Sequence, residues 1–329
     1  MPSFPNTRLR RSRQAPWVRK LTQEYDLSPH HLILPLFVCE GSQVREPIKT
    51  LPDCFRLSMD EAVKEALLAQ SLGIQAVALF PCVDAAKKDD EGSEALNQNN
   101  LMCRTLGMMR DRGVTIGLIA DVALDPYTTH GHDGILVGAK VDNDLTVEKL
   151  VQQALVLVEA GADVVAPSDM QDGRIGAIRQ ALEQVGHHDA IILAYSAKYA
   201  SALYGPFRDA VGSNQSTPID KSTYQMQPTQ INEALLEAQL DIEEGADWVM
   251  VKPGMLYLDV IAHITQHVSV PTFAYQVSGE YAMLHALSKT TGQPFMPLFH
   301  ESLVSIQRAG ARGILTYGAI KMAQQLLDR

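Results

Sequence analysis

Along the chain, amphipathic helical stretches recur that end in Gly and are followed within a few residues by a short run rich in Val, Ile or Leu. Thr146 to Ala160 reads as a helix, Gly161 as the residue that ends it, and Asp163 to Ser168 (DVVAPS) as a strand. Glu233 to Glu244, Gly245 and Asp247 to Pro253 (DWVMVKP) repeat the unit. So do Glu301 to Ala309, Gly310 and Gly313 to Ala319 (GILTYGA), and Asp60 to Leu72, Gly73 and Gln75 to Phe80 (QAVALF). The runs Leu32 to Val38, Thr115 to Leu124, Ile191 to Lys198 and Thr272 to Ser278 bring the buried-strand candidates to eight. Near-continuous apolar strands separated by helices imply a parallel sheet covered on its outer face. Eight such units predict an α/β fold of the (β/α)8 TIM-barrel class. An open doubly wound sheet is the alternative, weakened because no GxGxxG follows the first strand.

Two segments lie outside this pattern. Residues 1–30 precede the first strand and carry Arg8, Arg10, Arg11, Arg13, Arg19 and Lys20, which reads as an extension arm ahead of a catalytic barrel over 31–329. The arm is either a solvated tail or a contact for a neighbouring subunit. The second segment, about 204–228, is rich in Gly, Ser, Asn, Gln, Pro and Thr. It lies between strand five and the helix before strand six, on the strand-end face, where a long loop is expected to act as a lid.

Composition narrows the function classes. The chain is 46% hydrophobic and 20% charged, and no apolar run approaches the roughly 18–20 residues of a membrane span. A net charge of −10 argues against general binding to the phosphate backbone of nucleic acids. No apolar segment of signal-peptide type follows the basic N-terminus, and Cys39, Cys54, Cys82 and Cys103 form no CxxC. Reduced thiols in a cytoplasmic protein are therefore expected.

In barrels of this class chemistry gathers at the C-terminal ends of the strands. Asp121 lies in strand three, Ser168 closes strand four, Lys198 closes strand five, Lys252 strand six and Ser278 strand seven, and Tyr317 lies near the end of strand eight. A Ser or Asp at a strand end is commonly a cap. Lysines closing two consecutive buried runs are harder to explain structurally, because lysine is seldom buried without a chemical reason. Only the neutral amine attacks a carbonyl, and burial together with a second nearby ammonium favours that form. Paired lysines thus suit Schiff-base chemistry on two carbonyl substrates, although spacing alone leaves open that one of them binds an anion. Asp121, Asp125, His130, His132 and Asp133 in DVALDPYTTHGHDG form an oxygen-rich set that favours Mg2+ over Zn2+, or else a polar loop. Arg208, Lys221 and Gln225 in the lid segment could close over a substrate carboxylate.

The segments RLRRSR, KDDEGSEA, DVALDPYTTHGHDG, VDNDLTVE, YSAKYAS with YGPFRDA, EGADWVMVKPG, AYQVSGEYAM and SIQRAGARGILTY occur in an order that resembles the porphobilinogen synthase (5-aminolevulinate dehydratase) family over essentially the whole chain. The resemblance implies condensation of two 5-aminolevulinate molecules to porphobilinogen with loss of two waters, and no organic cofactor. Lys252 would hold the substrate that becomes the propionate side and Lys198 the one that becomes the acetate side. Ser278 and Tyr317 match carboxylate contacts at the first substrate site, Arg208 and Lys221 those at the second. Asp121, Ser168, Tyr204, Phe207, Gln225 and Tyr275 are expected at the same site.

Zinc-using members carry three cysteines where this chain has Ala123, Asp125 and Asp133, so the chain is similar to an aspartate-rich, magnesium-responsive branch. In that branch Glu237 would help hold a stimulating Mg2+, with Asp125 and Asp133 as further candidate ligands. The resemblance also implies a homo-oligomer, usually an octamer, with the arm embracing a neighbour. The alternatives are a class I aldolase-like lyase, which needs only one barrel lysine, and a non-catalytic barrel that binds metal or an anion with its lysines serving as charge.

Overall fold

The computed structural model describes residues 3–212 and 219–328. Eight parallel strands form the barrel: Leu32–Cys39 (β1), Ala76–Pro81 (β2), Gly117–Val122 (β3), Val164–Pro167 (β4), Ile191–Lys198 (β5), Trp248–Lys252 (β6), Thr272–Tyr275 (β7) and Gly313–Leu315 (β8). Each pairs with the next, and β8 returns to β1 with Ile314 opposite Leu32 and Leu315 opposite Ile33, so the sheet has closed on itself. Closure hides the edges that an open sheet would leave unpaired. Val77, Leu79, Leu118, Val165, Ile192, Val249 and Ile314 are fully or almost fully buried, as strands between a packed interior and an outer helical layer must be.

The helices expected between strands are present. Met59–Ser71, Asn143–Glu159 and Asn232–Glu243 agree with the sequence pattern to within a turn, whereas the helix expected from Glu301 begins earlier, as Phe295–Arg308. Gly161 and Gly245 follow two of them with φ of 110° and 108°, backbone that a side chain adopts only with strain. Strands seven and eight are shorter than their apolar runs suggest. Val277 serves as the N-cap of the helix Ser278–Thr291, with its N–H bonded to the Glu280 carboxylate at 3.0 Å. Ser278 therefore begins a helix rather than closing a strand.

The strand β5 carries an irregularity that the sequence does not announce. Val249 and Val251 of β6 face Ala194 and Ala197 of β5, so three steps on one strand oppose two on the other. Such a bulge reverses the alternation of side chains beyond it. It accounts for Tyr195 and Lys198, an odd number of residues apart, sharing the same surroundings.

Ahead of the barrel, residues 3–31 form short helical turns, Leu9–Arg13 and Pro16–Leu21, with Phe4, Leu9, Trp17 and Leu21 strongly exposed. The segment over 204–228 is not a plain loop: it contains the helix Gly205–Val211 and the turn Lys221–Thr223, while its residues 213–218 lie outside the described residues. Two further short strands, Arg45–Pro47 and Phe55–Ser58, extend the sheet beside β1.

Candidate active site

Adjacent parallel strands in register bring their side chains to the same height, and Lys198 and Lys252 are register partners at the C-terminal ends of β5 and β6. Both are buried, at 6% exposure. Four aromatic rings surround the Lys252 Nζ: Tyr275 at 4.8 Å, Phe207 at 5.0 Å, and Tyr195 and Tyr204 at 5.2 Å from the ring centroids. Burial in this cage, aided by the Lys198 charge, lowers the Lys252 pKa from 10.5 to about 7. The rings attract the ammonium, but desolvation outweighs them.

Lys198 sits in a more polar setting. Its Nζ donates to the Ser168 carbonyl and lies 3.8 Å from Asp133 Oδ1. Lys221 Nζ reaches Asp133 Oδ2 at 3.1 Å, and Gln225 Nε2 donates to the same oxygen at 3.4 Å. Lys221 is only 7% exposed, so this lid cation is not a solvated loop charge. Burial opposes the Asp133 charge, but Lys198 and Lys221 overcome it and hold this carboxyl well below the ordinary carboxylate range. The neighbouring Asp125 is pushed up to about 6 by burial and by Asp133, with which it shares a hydrogen bond. Asp121 is raised to about 7 by burial and Asp125, and its Oδ1 is buried without a hydrogen-bond partner among the described residues.

One cavity of about 30 Å3 is lined by Asp121, Asp125, Asp133, Ser168, Lys198, Tyr204, Phe207, Arg208, Lys221, Gln225 and Lys252. That space suits a water molecule. Ser278 and the Tyr275–Tyr317 pair adjoin the same group. Ser278 Oγ accepts from Phe207 N at 3.0 Å and donates to the Leu203 carbonyl at 3.3 Å, and the two tyrosine hydroxyls are 3.0 Å apart. The structure thus gathers the expected site residues, with the exception of Glu237.

Glu237 lies in the helix Asn232–Glu243 and lines a separate cleft of about 710 Å3 with Gln171, Asp172, Tyr224 and Glu233. Burial raises its pKa to about 7, with Arg174 opposing the rise and Asp241 and Asp172 adding to it. A carboxylate with like charges nearby suits a hydrated Mg2+, which is usually held through one or two carboxylates and keeps several waters. Among the described residues no group of three or more His, Cys, Asp or Glu is arranged to hold a metal ion. Asp125 and Asp133 do come together, but their oxygens engage each other and two lysines, an arrangement that does not fit an open ligand set.

Three groups of the site escaped sequence reasoning. Tyr195 is hidden by the bulge. Tyr224 Oη lies 3.1 Å from His132 Nδ1 and fixes the polar loop. Glu280 accepts from Gly254 N at 3.3 Å, Leu256 N at 2.9 Å and Val277 N, joining the loop after Lys252 to the helix beginning at Ser278. The V-S-G-E spacing of a helix start was the available signal for Glu280.

The delta-aminolevulinic acid dehydratase family model matches residues 6–325. The chain is 51% identical to the delta-aminolevulinic acid dehydratase of Bradyrhizobium diazoefficiens over 97% of this chain and 90% of that protein. It is 48% identical to the enzyme of that name from Chlamydia pneumoniae, over 95% and 94% of the two chains. The crystal structure of the Toxoplasma gondii delta-aminolevulinic acid dehydratase (porphobilinogen synthase), in complex with its reaction product porphobilinogen, superposes with a TM-score of 0.95. It is 46% identical and covers 98% of this chain and 92% of that one.

Proposed function

The chain belongs to the delta-aminolevulinic acid dehydratase family, and on that premise we propose how its residues make porphobilinogen from two molecules of 5-aminolevulinate. Lys252 and Lys198 each form an imine with the keto carbon of one substrate. Each imine releases one water, so two imines account for both waters of the overall reaction. A C–C and a C–N bond then join the substrates, and each bond expels a lysine as the amine, which restores the enzyme. The single observation that carries this reading is the register pairing of two buried lysines, one of them with a pKa lowered to about 7.

A lysine at 10.5 would be neutral only about three parts in ten thousand at pH 7, whereas one at about 7 is neutral about half the time. The cage around Lys252 therefore raises the nucleophile concentration on the order of a thousandfold. Holding two substrates side by side adds the advantage of an intramolecular reaction. We assign Ser278 and Tyr317, with Tyr275, to the carboxylate of the Lys252 substrate, and Arg208, Lys221 and Gln225 to that of the Lys198 substrate. Asp121, able to gain or lose a proton near neutrality, is assigned the proton transfers of imine formation. Ser168 orients Lys198 through its carbonyl. Tyr204 and Phe207 exclude water from Lys252. The 30 Å3 cavity is too small for either substrate, so the segment bearing Phe207 and Arg208 must move to admit them.

We further propose a cytoplasmic homo-octamer in which the arm, with its exposed Phe4, Leu9, Trp17 and Leu21, packs on a neighbour. No helix among the described residues is long and apolar enough to cross a membrane. Mg2+ is proposed to stimulate through Glu237 and to take no part in bond making. Porphobilinogen formation by the purified protein, lost in both Lys252→Ala and Lys198→Ala, tests the reaction; undiminished product in either variant refutes it. Restoration of a chelated enzyme by Mg2+ and not Zn2+ tests the branch, and the reverse result excludes it.

A further inference from the structure

The helix Gly205–Val211 carries Phe207 onto Lys252 and Arg208 into the cavity, yet it has only 7 residues. A helix this short is not stable by itself, and its last carbonyls lack intrahelical partners. In this structure three side chains from distant parts of the chain take up those carbonyls. Arg56, on the short strand Phe55–Ser58, donates from Nε to the Ala210 carbonyl at 2.7 Å and from Nη2 to the Asp209 carbonyl at 2.5 Å. Cys82, just beyond β2, directs Sγ to the Ala210 carbonyl at 3.2 Å. Lys88 donates from Nζ to the Gly212 carbonyl at 3.0 Å.

Two of these groups are cations placed at the negative end of a helix, where positive charge is favoured. The Arg56 fork matches two successive carbonyls and is held from the other side by Glu46 Oε1 at 2.8 Å. The other end of the helix is held by Ser278, through Phe207 N at 3.0 Å. Both ends of the element that covers the lysines are therefore fixed by the barrel rim, and Arg56 supplies two of the four C-terminal contacts.

We propose that Arg56, supported by Lys88, is a positioning residue that clamps the helix Gly205–Val211 over the lysine pocket and so sets the apparent affinity for substrate. The clamp itself stands on side-chain contacts to the helix carbonyls alone; its consequence for turnover rests on the functional reading given above. Arg56 touches no reacting group and acts only through Phe207 and Arg208. Losing a charged pair of hydrogen bonds shifts the balance toward the open position, and substrate binding must then supply the closing free energy. KM rises while kcat, measured with the site filled, is largely kept.

The test compares wild type, Arg56→Ala, Arg56→Lys and Lys88→Met as full-length proteins. Hydrogen exchange of a peptide spanning 205–211, without substrate, reads the clamp directly. The expected result is faster exchange there in Arg56→Ala and, to a smaller extent, in Lys88→Met. In steady-state assays KM for 5-aminolevulinate rises about tenfold to a hundredfold in Arg56→Ala, with kcat within about threefold of wild type and partial recovery in Arg56→Lys. Unchanged exchange over 205–211 in both Arg56→Ala and Lys88→Met overturns the clamp, as does a loss confined to kcat. Should Arg56→Ala not fold, Lys88→Met decides by the same readouts. A wild-type protein that makes no porphobilinogen counts against the functional reading only, and exchange then judges the clamp.

Discussion

Replacing Lys198 with methionine removes the charge that assists burial in lowering the Lys252 pKa, while keeping most of the side-chain volume. Neighbouring strands lie about 4.8 Å apart. Two unit charges at that separation and an effective dielectric of about 20 repel by roughly 3 kcal/mol. That figure is an upper bound, because without the Lys198 charge Asp121, Asp125 and Asp133 protonate more readily and attract the Lys252 ammonium less. A net effect on the order of 1–2 kcal/mol moves the Lys252 midpoint up by about one pH unit. The neutral fraction at pH 7 then falls from about half to about a tenth. The initial rate of borohydride-trapped adduct formation at Lys252, measured from pH 5 to 10 with 5-aminolevulinate, reports this midpoint without requiring turnover. It should lie near 7 in the wild type and about one unit higher in Lys198→Met. An unchanged or lower midpoint would refute activation of Lys252 by the Lys198 charge and leave burial as the whole cause.

Stability follows from the same group with a definite sign. The folded Lys252 pKa of about 7 lies below its 10.5 reference, so the unfolded chain binds the proton more readily between these values. The cost to folding is full below pH 7 and vanishes above 10.5. Lys252→Met should therefore abolish activity yet raise unfolding free energy at pH 7 by on the order of 4 kcal/mol, with the gain shrinking at pH 10; urea titrations at both pH values test it. Arg174 is buried and donates to Asp241 at 3.0 and 3.3 Å while facing Asp169 at 3.7 Å. Arg174→Ala strands these carboxylates and should cost about 3–5 kcal/mol in chemical denaturation, where a change within experimental error would contradict the argument. At Gly279 a Cβ would come within 2.5 Å of the Leu203 carbonyl and 2.8 Å of its Cα, both backbone atoms. Gly279→Ala should displace the turn leading to Tyr204 and cut kcat/KM at least about tenfold, a loss that retained wild-type kinetics would disprove.

The barrel was legible because its signal is redundant. Runs such as QAVALF and DVVAPS announce buried parallel strands, and a Gly after most of the helices between them marks the return to the sheet. The ends of strands seven and eight were less so, because apolar residues continue past the last ladder partner into a helix cap and a turn. Lys198 and Lys252 could be assigned to strand ends from their apolar neighbours, but the bulge that turns Tyr195 toward the pocket has no Gly or Pro to mark it. Lys221 and Gln225 could be read as lid residues able to close over a substrate carboxylate, but not as partners of Asp133. Their burial against Asp133 is a long-range contact, spanning 88 residues for Lys221, and short-range pattern does not encode it. For the same reason the tie between Arg56 and Ala210, 154 residues apart, carries no signal in the local pattern.

The central claim is that two lysines, not one, carry substrate carbons during the reaction. Rapid mixing with labelled 5-aminolevulinate, quenching in borohydride and peptide mapping tests it most directly. The account predicts reduced adducts on the peptides containing Lys252 and Lys198, with the Lys252 adduct persisting in Lys198→Met. Label on Lys252 alone under all mixing times, with porphobilinogen still formed, would contradict it.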